Sequence, residues 1–424
     1  MFTRRPDAYR VYLAMETAAA VFFALVFTVN MVYQVEVIGL GPLQLVLVGT
    51  MLEGVIFLFE IPTGIVADLY SRRLSIIIGM FLIGAGFVLE GAIPRFAAVL
   101  LGQVLWGLGY TFTSGATEAW IADEIGEERA GGAYLRAAQA GQIGALAGTF
   151  ASAALGSLRI NLPIVLAGGL FACLGLTLAL VMPERGFRAA SRSEAKGHLP
   201  AAPEERSTWR GMARTLREGV GVVRIRPALL TILVIGAIFG MSSEGFDRLW
   251  TPHLLHDITL PNYGGLSPAL WFGIILAVGR ILSLGAAEIA RRSVVTTSHR
   301  SVAGALLGVQ AGLVVSVAVF ALTRSFPLAL AMLWVIDPLR DVKAPLYTAW
   351  VNQRLEPRVR ATVNSMAGQA DALGQILGGP ALGLLAESAS VGTAILVAGL
   401  LLVPGLALFV RTLRQRIVAQ AEAA

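Results

Sequence analysis

Residues 60–75 read Glu-Ile-Pro-Thr-Gly-Ile-Val-Ala-Asp-Leu-Tyr-Ser-Arg-Arg-Leu-Ser and close one strongly apolar segment while opening another. Only a few polar residues separate the two runs, among them Asp68 and the adjacent Arg72 and Arg73. Two long apolar runs joined this tightly read as a helical hairpin in a hydrocarbon layer, with the charges at the turn, where both helices leave it.

The whole chain fits that reading. Of its 424 residues 56% are hydrophobic and 14% charged, against roughly 25% charged residues in an average soluble domain. The single cysteine, Cys173, lies in an apolar run and excludes an internal disulfide framework and a Cys-based zinc site. Lys196 and Lys343 are the only lysines, and neither follows a glycine as a phosphate-cradling P-loop requires, so ATP is not the expected fuel. There is no Gly-x-Ser-x-Gly elbow and no His/Asp/Glu cluster at ligand spacing, which argues against an integral-membrane enzyme. His253 and His256, three apart, lack an evident third ligand and read as solvated. No metal, no cofactor and no nucleic-acid partner is expected. The first apolar run, near 9–34, is too long for a signal-peptide core and reads as a permanent span.

Windows of roughly 20 apolar residues, enough to cross a bilayer as helix, fall near 9–34, 42–68, 73–93, 97–122, 131–157, 161–182, 227–250, 268–290, 301–323, 326–350, 360–386 and 391–410. These are twelve predicted spans. With the N-terminus inside, the cytoplasmic segments hold 25 Lys and Arg residues and the opposite loops only Arg95, Arg159 and Arg324, so positive-inside bias predicts cytoplasmic termini. The expectation is an all-α membrane protein: a six-helix bundle at 1–183, a cytoplasmic linker at 184–226 and a second six-helix bundle at 227–424. Trp209, Met212, Leu216, Val220 and Val223 follow one another at helical spacing between four arginines, which predicts a linker helix on the membrane surface.

The halves echo one another. Gly141-Gln-Ile-Gly144 in span five resembles Gly374-Gln-Ile-Leu377 in span eleven, which predicts a duplicated unit. Spans six, nine and twelve contain no Asp, Glu, Lys or Arg and suit a position facing lipid, leaving the charged helices to line a central cavity.

At this point the opening stretch resembles the signature of the major facilitator superfamily, a glycine, an aspartate four residues on and then paired basic residues: Gly64, Asp68, Arg72 and Arg73. Leu69 and Ser71 depart from it, standing where the family usually has Arg and Gly. The resemblance implies a partner for the arginine at the cytoplasmic end of span four, where Asp123 stands, and a latch that holds the cytoplasmic side closed. Gly64 is expected to let two helices approach closely. Within the superfamily the chain looks most like bacterial drug:proton antiporters of the tetracycline and macrolide efflux type, an impression carried by the stretches TEAWIADE and EGFDRL. Gln103 replaces the arginine expected in span four of many proton-coupled members, and the Gly-Pro of the antiporter motif is absent from span five.

Helical rise places Glu53, Arg280, Asp337 and Asp371 near mid-bilayer, with Arg340 deeper toward the cytoplasm. A charge facing lipid there costs roughly 2.5–3.5 kcal/mol, so these residues are expected to face a wet cavity or one another. Glu118, with Glu16, is a candidate proton or cation contact nearer the cytoplasm. Glu244 and Arg248 have ion-pair spacing and read as a structural gate. Asp337 is the first candidate for coupling, with Arg340 three residues on as its partner and Arg280 as counter-charge. The expected function is secondary active transport, proton-coupled efflux of amphipathic drugs by a monomer in the bacterial plasma membrane, with antibiotic resistance as the outcome. The alternative is uptake or flipping of a nutrient or lipid-like substrate by the same fold; a membrane enzyme or passive channel ranks below both.

Overall fold

The computed structural model describes residues 7–187, 227–258, 261, 265–353, 357–410 and 413; the expected linker helix lies outside them. All regular structure among the described residues is helical, and the helices supply the twelve expected spans. Span one is Ala8–Phe27 continued by Asn30–Glu36, span two Pro42–Leu69, span three Arg72–Ala92 and span four Phe96–Thr113 with Ala116–Ile125. Spans five and six are Glu127–Leu158 and Leu162–Val181; spans seven to eleven are Pro227–Pro252, Pro268–Ser293, His299–Leu322, Phe326–Asn352 and Pro357–Ser388. Span twelve runs over Val391–Val410.

The interruptions have local causes. In span one the Thr28 hydroxyl donates to the Ala24 carbonyl, and Val29 then leaves helical geometry. In span four Gly115 takes φ +69°, a left-handed conformation that costs least at glycine. Ser71, Ser298 and Ser390 cap spans three, nine and twelve by accepting from the backbone N–H of Leu74, Ser301 and Thr393. Proline interrupts the hydrogen-bond ladder inside span two (Pro62), span ten (Pro338, Pro345) and span eleven (Pro380).

Eight spans are apolar enough to cross a membrane on composition alone; spans five, seven, ten and eleven are not among them. Those four carry the polar and charged residues expected to face away from lipid, including Gln142, Asp247, Arg340 and Asp371. The charge-free spans expose apolar side chains, Leu166, Leu176 and Leu180 of span six, Val315 and Leu322 of span nine, and Leu400 and Val403 of span twelve, as spans five and eleven also do at Leu135, Ile143 and Leu377.

Contacts divide the chain into two compact units, one of Met1–Ile38, Met51–Ile225 and Ser267–Gly273, the other of Gly39–Thr50, Arg226–Leu266 and Ile274–Ala424. In the first, span one packs on span five and span three on spans four and six; in the second, span seven packs on span eleven and span nine on spans ten and twelve. Corresponding glycines make these contacts. A Cβ on Gly148 would lie 2.5 Å from the Val21 carbonyl oxygen of span one, and one on Gly374 would overlap the Ala237 carbonyl of span seven. The repeat therefore aligns Gly144 and Gly148 with Gly374 and Gly378, 230 positions on in both cases (144 to 374, 148 to 378), rather than Gly141 with Gly374. Gly141 is the looser position, with 3.6 Å to its nearest neighbour, Ala20.

Gly64 is corrected by the same measure: a Cβ placed on it meets nothing within 4 Å, so the expected close approach is not made there. Gly374→Leu is expected to lower the thermal unfolding midpoint of the purified protein markedly, since overpacking a tight contact costs about 1–3 kcal/mol. Gly64→Ala should leave it within a degree or two. Equal midpoints for the two variants would remove the close-packing account.

Candidate functional site

In the first unit Arg72 begins span three, where the Ser71 cap fixes its direction. Its guanidinium forms a direct ion pair with Asp123 at the end of span four, donates to the Ala119 carbonyl at 2.8 Å, and lies 3.6 Å from Asp68. Asp68 is the more exposed of the two carboxylates, 61% against 29%, so Asp123 is the stronger partner. Arg73 does not join this pair. It turns to span six, donating to the Ala179 carbonyl at 2.5 Å, while its backbone N–H donates to Glu184 Oε1 at 2.9 Å. That carboxylate also accepts from the Ser71 hydroxyl at 2.7 Å, a contact that the glycine usual at this position in the resembled family lacks. The ends of spans two, three, four and six are thus tied through two arginines and two spare carboxylates, since Glu124 accepts from the backbone N–H groups of Arg185 and Gly186.

A second polar group in this unit joins spans one, three and four. Glu90, 1% exposed, accepts from Gln34 Nε2 at 2.7 Å and from Gln103 Nε2 at 3.1 Å. Sequence reading passed over Glu90 because it assigned the lipid-facing role by whole helices; a lone Glu in the apolar run after Leu74 was the available signal. Glu16 and Glu53 are half-buried and Glu118 is exposed. Glu16 and Glu118 are within electrostatic reach of one another.

In the second unit, span ten is held against span eight by Trp334 Nε1, which donates to the Ile275 carbonyl at 3.1 Å, and against span seven by the Tyr347 hydroxyl, which donates to the Ile232 carbonyl at 3.0 Å. This register aims Arg340 at span seven. Its guanidinium makes a two-pronged pair with Asp247, 2.6 Å on the Nη2 side, and lies over the Phe246 ring. Asp247, not Asp337, is therefore its bonded partner: a carboxylate on a facing helix meets the planar guanidinium on both prongs here. Asp337 lies against span eight, its Oδ2 3.2 Å from a Cβ placed on Gly279, and among the described residues it makes neither hydrogen bond nor ion pair. Arg280, half-buried, is the next residue on that helix.

Arg248 donates to Glu244 at 3.1 Å, the expected pair. Glu244 sits where Gly49, in the same unit, leaves room; a Cβ there would overlap its carboxylate. Lys343 places its ammonium 3.1 Å from the centre of the Phe239 ring. With Arg340, Phe246, Ser242 and Ser243 it lines a cavity of about 40 Å³, room for little more than ordered water. Asp371 accepts from Gln375 at 2.9 Å on its own helix. His253 is not solvated: it is 3% exposed, with Nδ1 2.7 Å from Asp257 and Nε2 3.1 Å from the Phe320 carbonyl. His256 is exposed.

Residues 12–338 match the model of the Major Facilitator Superfamily. The chain is similar to an uncharacterized MFS-type transporter, YxaM, of Bacillus subtilis (strain 168), 22% identical over 364 residues and covering 85% of this chain and 86% of that one. Among solved structures, a mutant of the nucleoside transporter NupG superposes with a TM-score of 0.77 at 14% identity, over 96% of this chain and 99% of that one. A POT family transporter in complex with 5-aminolevulinic acid superposes with a TM-score of 0.70 at 13% identity, over 98% of each. At these identities the likeness to the solved structures is one of fold.

The geometry of the first unit ranks its carboxylates. Asp123→Ala strands the Arg72 guanidinium and is expected to lower the unfolding midpoint by several degrees, whereas Asp68→Ala removes an exposed partner worth about 0–1 kcal/mol. Thermal unfolding of the two variants side by side checks this, and a larger loss in Asp68→Ala would reverse the assignment.

Proposed function

The chain belongs to the Major Facilitator Superfamily, and from that premise we propose that it exports amphipathic small molecules in exchange for protons by alternating access. It is a multi-pass membrane protein of a transporter family; direction, substrate class and coupling ion are the proposed part. Two six-helix bundles, residues 1–183 and 227–424, joined by the linker 184–226, rock about a substrate between them, and the group around Arg72 latches one side in each cycle.

One observation carries the coupling: Asp337 stands one helical turn from Arg340 without a bonded partner of its own among the described residues, while Asp247 holds Arg340 in place. A carboxylate in hydrocarbon surroundings is costly when ionised and unpaired, and much less so when neutral. Asp337 is therefore the group whose charge can change as its surroundings do. When it faces an acidic compartment it takes a proton; when a cationic or polar substrate arrives, or Arg340 turns toward it, it gives the proton up. Asp371, hydrogen-bonded to its own Gln375 alone among the described residues, is the second such group. Aromatic and apolar residues beside these charges, Phe239 and Phe246 among them, suit amphipathic molecules.

Uptake of a nutrient would use the same fold, and the nucleoside and peptide transporters that share it keep that reading as the alternative. Everted membrane vesicles decide between them: with a proton gradient imposed, the export reading expects accumulation of members of a dye and antibiotic panel. Asp337→Asn should still bind substrate but lose gradient-driven accumulation, leaving slow downhill exchange. Wild-type accumulation in that variant would remove Asp337 from the mechanism, and absence of proton flux in the unaltered protein would remove proton exchange altogether.

A further inference from the structure

We propose that Glu90 is a second proton-binding carboxyl, held by Gln34 and Gln103 so that both its ionised and its neutral form are hydrogen-bonded. As a participant in transport it rests on the proton-coupled reading above; as a proton-binding site it stands on its own geometry.

Span three approaches span four where a Cβ on Gly86 would lie 2.7 Å from the Gly102 carbonyl oxygen. That closeness puts Glu90, one turn past Gly86, in contact with Gln103, the residue after Gly102. Span one contributes Gln34 from the short helix after its break at Val29. All three side chains are buried, at 1%, 3% and 0% exposure. In the present arrangement each carboxylate oxygen accepts one amide N–H, from Gln34 on Oε1 and from Gln103 on Oε2. That is the pattern an ionised carboxylate needs.

The third observation is the amide oxygen of Gln34. It is buried and has no hydrogen-bond partner among the described residues, a condition that is costly for a buried acceptor. A half-turn of the Gln34 amide exchanges its N–H₂ and oxygen. If a proton binds Glu90 Oε1, the resulting O–H needs an acceptor, and the turned Gln34 oxygen supplies one. One N–H···O bond is lost and one O–H···O bond gained, with Gln103 still donating to Oε2. The orphaned oxygen is used only in the neutral state, so the site offers the carboxyl a matched partner in each form.

Span one presents Tyr33, whose hydroxyl donates to the Glu90 and Gly91 backbone carbonyls at 3.2 and 3.4 Å rather than to the carboxyl. Glu36, two residues past Gln34, is exposed, as is Arg95 in the loop after span three. Span four carries no Asp, Glu, Lys, Arg or His over 96–113, and span six none over 162–181. Arg72 and Arg73 stand at the opposite end of span three. Phe23, Phe27, Phe87, Trp106 and Phe171 form a contiguous aromatic block that includes the turns before Glu90 and after Gln103.

Infrared difference spectroscopy of the full-length protein in lipid, titrated from acid to alkaline pH, tests this directly. The expected result is a protonated-carboxyl C=O band that vanishes as pH rises, is missing in Glu90→Gln and persists in Asp337→Asn. Gln103→Leu deletes one donor to the ionised form; a hydrogen bond to a charged group is worth enough to hold the band to about one to two pH units higher. Identical difference spectra for unaltered protein and Glu90→Gln overturn the assignment. If Glu90→Gln does not insert, Gln103→Leu carries the test, and a band that does not move in it overturns the assignment equally. Neither spectrum depends on transport, so a failed proton-flux assay and a failed Glu90 site are separate results.

Discussion

A charge inside a hydrocarbon layer has to be given a partner, and that requirement fixes which helices of this protein can touch. Arg72 takes a carboxylate from span four and stands within ion-pair distance of another on span two; Arg340 takes one from span seven. Each guanidinium presents several N–H groups in a plane and can bridge acceptors on more than one helix. Arg73 turns to the Ala179 carbonyl near the end of span six, where a cation also meets the negative end of the helix.

Charge pairing alone would not hold such helices together, because lipid competes for apolar side chains as well as a neighbouring helix does. The close contacts are made where side chains are absent, at Gly86 with Gly102, Gly148 with Val21 and Gly374 with Ala237. Backbone approaching backbone shortens the interhelical distance to what a Gln–Glu or Arg–Asp contact can span. Glycine placement and polar placement therefore act together: the contact between Glu90 and Gln103 forms where Gly86, one turn before Glu90, meets Gly102, the residue before Gln103.

The twelve spans were legible in the sequence, because each follows from composition along one helix, and the Arg72–Asp123 pair was an implication of the family resemblance. What escaped was partner choice between distant segments. Arg340 was assigned to Asp337 on spacing within a helix, whereas its bonded partner stands 93 residues earlier on span seven. Gly64 looked like a packing glycine by motif and is open by geometry. His253 looked solvated for want of a third metal ligand, yet the chain folds a π-turn there, His253–Asp257, that buries the ring against Phe320. Glu90 was legible as a lone carboxyl in an apolar run; its two amide partners, 56 and 13 residues away, were not.

The two units meet the same requirement in chemically different ways, and the difference bears on how a proton could be used. In the second unit Asp247 is matched by a guanidinium on both oxygens, a charge-assisted pair that ties span seven to span ten. In the first unit Glu90 is matched by amides, which serve either form of a carboxyl by turning. Asp337, beside that pair and without a bonded partner among the described residues, lies between these cases, and in the proposed coupling it is the group whose charge changes. A substrate's own charge would then act by altering the field at Asp337, without having to break the bond between Arg340 and Asp247.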